Sequence, residues 1–209
     1  STQNDKKTIQ SNENWCQNLI NATRSLENEE EKMFEMATGY STDKGIFYKS
    51  DEERTSPERF GNEYGDIEEE FEALKRLHRI APEMWAEPLM KTYDNQGNVN
   101  GYFMEEAPGF ELNDFTQTYP SQSDEARTDA NLDTDFVKSQ IQYLDNIMGI
   151  YGEAHGDLKP WNIKVNPKNS RIMGYDPVGF NMETAETDKA RNKDRAQIDK
   201  IISDLEAAS

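Results

Sequence analysis

The segment His155-Gly156-Asp157-Leu158-Lys159-Pro160-Trp161-Asn162-Ile163 decides how the rest of this 209-residue chain is interpreted. Its glycine and proline predict a loop, where polar side chains can converge on a ligand. Asp157 and Asn162 are five residues apart, and Asp176 follows just before another Pro- and Gly-containing stretch. Carboxylate and amide oxygens are ligands that Mg²⁺ prefers. The segment therefore predicts a magnesium-binding loop.

Helices are predicted on both sides of this loop. The helix before it has Asp133 or Thr134 as its cap, and the segment 183–208 after it is helical and mostly charged. The second helix has a narrow apolar stripe that must dock on another element. The apolar positions are Phe136, Val137, Ile141, Leu144, Ile147, Met148 and Tyr151 in the first helix, and Ile198, Ile201, Ile202 and Leu205 in the second.

The half of the chain before this loop is predicted to consist mainly of strands. Strands are predicted at 32–37, 46–49, 88–93 and 99–104, with hairpin chemistry in the turn 94–98. A helix begins after Asp66, a favoured N-cap, and stops before Pro82. The order of elements predicts an α+β fold with a small sheet-rich lobe followed by a helical lobe. Residues 1–32 are predicted to be a polar, partly helical extension.

The loop resembles the catalytic loop H-R-D-L-K-x-x-N of the protein-kinase superfamily, with Gly156 in place of Arg. Asp176-Pro177-Val178-Gly179 resembles an expanded D-F-G motif. The resemblance implies a bilobal fold in which Asp157 accepts the proton of the acceptor hydroxyl and Lys159 stabilises charge on the γ-phosphoryl group. It also implies that Asn162 and Asp176 hold the Mg²⁺ ions that bridge the phosphates of ATP.

Two upstream segments extend the resemblance. Residues 70–77 resemble the kinase αC helix, which implies an ion pair between a glutamate and a strand lysine. Glu70 and Lys49 are the best matches, and Glu69 and Glu72 are the alternatives to Glu70. Residues 104–109 resemble the hinge between the lobes, with Met104 as gatekeeper and the backbone of Glu105 to Ala107 bonding adenine. The implied lobes are 33–107 and 108–209.

The chain departs from the kinase pattern in three ways. It has no G-x-G-x-x-G loop, and Gly39 and Ser41 belong to the only candidate phosphate cover. Gly156 removes the arginine that pairs with a phosphorylated activation loop. The short stretch after Asp176 has no A-P-E motif and leaves a minimal C-terminal lobe. The segment 175–180 is similar to that of the short Ser/Thr kinases of T7-like phages, which would imply action in a host cytoplasm.

Composition limits the other classes of function. With 41 acidic against 23 basic residues the net charge is −18, which disfavours direct binding to nucleic acid. The acidity fits a solvated surface, adaptation to high salt, or a face for a basic partner. No membrane span or signal peptide is expected, because no apolar run approaches the ~18 residues that cross a bilayer and residues 1–11 are polar. The single cysteine, Cys16, allows no intrachain disulfide. A cytoplasmic protein is expected.

Three functions remain open. The first is a Ser/Thr protein kinase of minimal size that uses Mg²⁺ and ATP and acts on a protein substrate. The second is a kinase-fold acidic module that binds or inhibits a basic or nucleic-acid-binding partner without catalysis. The third is a small-molecule kinase, since the H-G-D form is common in such enzymes; its substrate would sit in the region 116–133.

Overall fold

The computed structural model describes residues 45–50, 66–117, 130–178 and 184–208. These ranges contain two three-stranded antiparallel sheets and four α-helices, so the predicted α+β class is confirmed. The predicted N-terminal extension, the strand at 32–37 and the phosphate-cover candidates Gly39 and Ser41 lie outside the described residues. Within the described ranges, no helix has an apolar stretch long enough to cross a bilayer.

The first sheet contains strands β1 (Ile46–Ser50), β2 (Pro88–Tyr93) and β3 (Val99–Glu105) in the order β1-β3-β2. The predicted hairpin turn is present between β2 and β3, where Asp94 accepts hydrogen bonds from the amides of Gln96 and Asn98. The two faces of the sheet are covered differently because side chains alternate along a strand. Ile46 and Tyr48 pack with Phe103 in a small cluster, whereas Phe47 faces the main core.

Helix α1 (Ile67–Ile80) packs on the main-core face of this sheet. It begins where the sequence predicts, because the Asp66 carboxylate accepts a hydrogen bond of 2.8 Å from the amide of Glu69. It ends before Pro82, with Ala81 as its C-terminal cap. Its buried face repeats at helical spacing and includes one charged residue, Glu70.

The second sheet contains the end of the segment 155–163. It contains β4 (Phe110–Glu111), β5 (Ile163–Val165) and β6 (Ile172–Gly174), with β5 in the middle. A 3₁₀ turn, Pro160–Asn162, leads directly into β5. The short helix α2 (Leu112–Thr116) follows β4 and was not predicted, because five residues are too few to show helical periodicity.

The two long helices pack against each other. Helix α3 (Thr134–Tyr151) is capped by Asp133, and α4 (Thr184–Ala208) runs along it. The predicted docking of the α4 stripe is confirmed, since Ile198, Ile201 and Leu205 are buried in the same core as the apolar face of α3. This core also includes residues of α1, β3, β5 and β6, and therefore connects both sheets.

Trp85 links this core to the loop that begins at His155. The indole is fully buried and stacks on the His155 ring with 5.4 Å between the ring centroids. Gly174 makes room for it, because a Cβ atom at this position would lie 2.5 Å from the indole Cζ3. Backbone hydrogen bonds from Gly174 to Met84 and from Ala86 to Gly174 hold the two segments together.

Candidate functional site

Lys49 and Glu70 meet across the interface between β1 and α1. The Lys49 Nζ forms an ion pair with Glu70 Oε1 and lies 3.0 Å from Asp176 Oδ1. The hydroxyl of Tyr102, the β3 residue opposite Lys49 in the sheet, donates to the same Glu70 oxygen at 2.9 Å. Three residues that are distant in sequence, Lys49, Glu70 and Asp176, therefore form one charged cluster.

Lys49 and Glu70 are mostly buried, so their charges must be paired to be stable there. Only 15% of the Lys49 side chain and 3% of that of Glu70 are exposed. Burial by itself lowers the pKa of Lys49, but the charges of Glu70 and Asp176 and their hydrogen bonds outweigh it and raise the pKa above 10.5. Lys49 therefore keeps its positive charge throughout the physiological pH range.

The structure shows why Glu70, rather than Glu69 or Glu72, pairs with Lys49. Glu72 pairs with Lys91 at 2.8 Å, and this hydrogen bond, together with nearby positive charges, lowers the pKa of Glu72 despite some burial. Glu69 lies in the first turn, where its amide is bonded by the Asp66 cap. Among the three glutamates, only Glu70 lies on the buried face of the helix with Ile67, Leu74 and Leu77.

The loop from His155 to Asn162 is held by its own hydrogen bonds. The Asn162 amide donates to the Asp157 carbonyl at 2.9 Å and lies 3.4 Å from the Asp157 carboxylate. The Asp157 amide donates to His155 Nδ1 at 3.1 Å, so His155 Nε2 carries the proton that it donates to the Tyr175 carbonyl at 2.7 Å. His155 thus orders the loop through hydrogen bonds at both ring nitrogens.

Lys159 is partly buried beside Trp161, with its Nζ 5.9 Å from the centre of the indole ring. At this distance the ammonium is attracted to the face of the ring. Backbone bonds from Lys159 to Asp157 and from Asn162 to Lys159 keep the turn closed, at 2.8 and 2.9 Å. Asp157, Lys159 and Asn162 are therefore presented by one compact turn.

Asp176, one of the two metal-ligand candidates, and Gly156 both have a left-handed backbone conformation. Asp176 has φ 54° and Gly156 has φ 87°. A side chain at φ 87° would be strained, so glycine suits position 156 irrespective of the arginine that kinases have there. For an aspartate the left-handed region costs free energy, and such strain is concentrated at functional sites.

Asp194 is a buried anchor for this loop that the sequence analysis missed. Its two carboxylate oxygens accept hydrogen bonds of 2.8 Å from the amides of His155 and Gly156. Burial raises the pKa of Asp194, while His155, the two amide donors and Arg191 oppose the shift. A sequence signal existed, since Asp194 is in helical register with the apolar stripe of Ile198 and Ile201.

We expect Asp194→Asn to lower the free energy of unfolding by about 1–3 kcal/mol. An asparagine offers one oxygen, so one buried amide of the loop would face an NH₂ group. Urea unfolding measures the change. Asp199→Asn changes an exposed aspartate of the same helix and should leave the midpoint nearly unaltered. Equal midpoints for the two variants would show that Asp194 does not anchor the loop.

An acidic group lies beside Asp176. Burial and the charges of Asp114 and Asp176 raise the pKa of Glu111, although Lys164 opposes the shift. Burial and the same three carboxylates also raise the pKa of the Tyr175 phenol. Tyr175 therefore remains a protonated hydrogen-bond donor.

The hinge candidates lie at the end of β3. Met104 is buried in the main core. The amides of Glu105 and Glu106 donate to the Glu87 and Gly45 carbonyls at 2.8 Å. For the buried Ala107, the described residues supply no acceptor to its backbone N–H.

The residues present fit a magnesium ion carried by a nucleotide. Mg²⁺ is usually held by one or two carboxylates together with phosphates and water. Asp176 and Asn162 supply one carboxylate and one amide oxygen, and the backbone bond of 3.0 Å from Tyr175 to Asn162 keeps their segments adjacent. In the ranges that the structure covers, no group of three or more His, Cys, Asp or Glu could hold a metal alone.

Comparison with protein-family models finds no match for this chain, and no curated protein matches it significantly.

Proposed function

We propose that this chain is a phosphotransferase with a minimal, bilobal protein-kinase-like fold, which transfers the γ-phosphoryl group of Mg-ATP to a hydroxyl group. The observation that supports this function most directly is the cluster of Lys49, Glu70 and Asp176. Burying the charges of Lys49 and Glu70 is costly unless they are paired, and Lys49 also contacts Asp176, the residue proposed to bind Mg²⁺. A packing role alone would be served equally well by apolar residues.

Each residue then has a chemical role. The acceptor oxygen attacks the γ-phosphorus, the bond from that phosphorus to the bridging oxygen of ADP breaks, and Asp157 accepts the hydroxyl proton. Lys159 stabilises negative charge on the transferred group, and Lys49 binds the α- and β-phosphates. Glu70 orients Lys49. Catalysis is mainly positioning and charge stabilisation, as expected for phosphoryl transfer.

Asn162 and Asp176 would hold magnesium. When bound, Mg²⁺ neutralises phosphate charge and orients the transferred group. Glu105 and Ala107 would bind the adenine edge through their backbones, and the Ala107 N–H that lacks a described acceptor supports this assignment. A hydroxyl of serine or threonine in a protein is the proposed acceptor.

Nucleotide binding gives the direct test. With Mg-ATP at 100 times its Kd, the free energy of unfolding should rise by about 2.7 kcal/mol, measured as a thermal shift. Labelled ATP and a casein-like substrate then test turnover. Lys49→Met should abolish the shift, whereas Lys91→Met, which changes a lysine on strand β2 of the same sheet, should retain it.

Three outcomes separate the possible functions. A flat melting curve with Mg-ATP, combined with no turnover, would exclude the proposal. Stabilisation by Mg-ATP without transfer to any protein or small molecule would favour a binding module. Transfer to small hydroxyl compounds but not to proteins would identify a small-molecule kinase and contradict the proposed protein acceptor.

A further inference from the structure

Tyr175 connects the segment of Asp176 to the loop of Asp157 through three hydrogen bonds. Its amide donates to the Asn162 carbonyl at 3.0 Å, and its carbonyl accepts from His155 Nε2 at 2.7 Å. Its phenol hydroxyl donates to the Trp161 carbonyl at 2.7 Å. All three partners belong to the segment 155–163, and Tyr175 immediately precedes Asp176.

The hydroxyl bond differs from the two backbone bonds because it depends on the identity of the side chain. A carbonyl oxygen only accepts, so Tyr175 is the donor to Trp161. The acceptor belongs to the 3₁₀ turn Pro160–Asn162, between Lys159 and Asn162. Any residue would make the backbone bonds, but only a tyrosine at 175 bridges to the Trp161 carbonyl.

The bridge also bears on the strained backbone of Asp176. Its left-handed φ of 54° persists only when the surroundings hold it. Lys49 contacts the side chain of Asp176 at 3.0 Å, and Tyr175 fixes the chain on its N-terminal side. The ring of Tyr175 packs against the main core, so the hydroxyl extends from a supported position.

We propose that Tyr175 is a positioning residue whose hydroxyl fixes the spacing between Asp176 and Asn162. Its effect on catalysis rests on the proposed function, because the two residues are there assigned to Mg²⁺. Outer residues that orient metal ligands commonly change metal affinity or activity by about 10- to 100-fold when they are replaced. Tyr175 would act through Asp176 and Asn162 without contacting the phosphates.

Tyr175→Phe isolates this role, since it keeps the ring and both backbone bonds. In the full-length chain, we expect the Mg²⁺ concentration that half-saturates phosphoryl transfer from ATP to rise about tenfold. The KM for the acceptor should stay unchanged. A merely structural bond would lower the melting temperature without moving the Mg²⁺ half-saturation. Tyr151→Phe removes a hydroxyl from a tyrosine that is 60% exposed and is the matched control.

A second readout does not require turnover. In a Trp15→Phe background, the remaining indoles are Trp161, which is partly exposed, and Trp85, which is fully buried. Loss of the bond should loosen the 3₁₀ turn, so Tyr175→Phe should increase quenching of the emission by acrylamide. Tyr151→Phe should not.

The outcomes distinguish the two proposals. An unchanged Mg²⁺ half-saturation in Tyr175→Phe overturns the positioning role, even if quenching rises, because the bond would then be only structural. A wild-type protein that neither binds Mg-ATP nor transfers phosphate overturns the proposed function, and the positioning role with it. A raised Mg²⁺ half-saturation with increased quenching supports both.

Discussion

Asp157→Asn is expected to lower the rate of phosphoryl transfer by about 10²–10⁴-fold, which is the usual contribution of a general base. The amide has the size of the carboxylate but cannot accept the hydroxyl proton. The loop should keep its shape, because the Asn162 side chain donates to the backbone carbonyl of residue 157 at 2.9 Å. Transfer of label from ATP measures the rate, and urea unfolding checks the fold.

Asp135→Asn is the matched control for this prediction. Its side chain lies in the first turn of α3 and is 91% exposed, so the same loss of one charge should leave turnover unchanged. Mg-ATP should still stabilise Asp157→Asn against heat, since the phosphate-binding residues remain. If Asp157→Asn and wild type transfer phosphate at the same rate, Asp157 is not the base.

Lys49→Met should have the largest effect on stability. Removing one partner of a buried ion pair leaves an uncompensated charge and typically costs about 3–5 kcal/mol. The buried carboxylate that loses Lys49 is that of Glu70, whose side chain is 3% exposed and accepts a hydrogen bond from Tyr102. Urea unfolding should therefore show a lower midpoint, and Mg-ATP should no longer stabilise the protein.

The double variant Lys49→Met with Glu70→Met separates stability from function. An apolar replacement of a whole buried pair is often neutral or stabilising. Much of the lost stability should therefore return, while nucleotide binding and turnover stay absent. If both the double and the single variant retain Mg-ATP binding, the cluster has no role in phosphate recognition.

The pH dependence of stability gives an independent check on Lys49. Its pKa is raised in the folded state, so the folded protein holds this proton more tightly than the unfolded chain. The resulting contribution is fully present below pH 10.5 and is lost as the pH rises through the folded pKa. A difference in unfolding free energy between wild type and Lys49→Met should therefore shrink above pH 10.5.

Local patterns were sufficient for most of the elements. Asp66 and Asp133 cap the helices that were predicted to start there, and the turn after Tyr93 forms as its sequence indicates. These features depend on neighbours within a few residues, which a sequence displays directly. The short helix α2 was missed because a single turn leaves no periodic signal.

The candidate site was predictable only in part. The order and spacing of Asp157, Asn162 and Asp176 indicate phosphate chemistry through resemblance. The sequence does not say that the Tyr175 hydroxyl reaches Trp161 or that Asp194 binds the amides of the loop. Hydrogen bonds of this kind join residues 14 to 39 positions apart, and their geometry depends on how the helices and sheets pack.

The sequence by itself determined the α+β class and the bounds of the long helices, and it showed a loop that resembles the catalytic loop of protein kinases. Only the tertiary structure decided which acid pairs with Lys49. Glu69, Glu70 and Glu72 are equally able to carry charge, but helix packing buries Glu70 alone among them, opposite Lys49 and Tyr102. Burial removes competing water and makes that single pairing strong, so packing, rather than residue type, selects the pair.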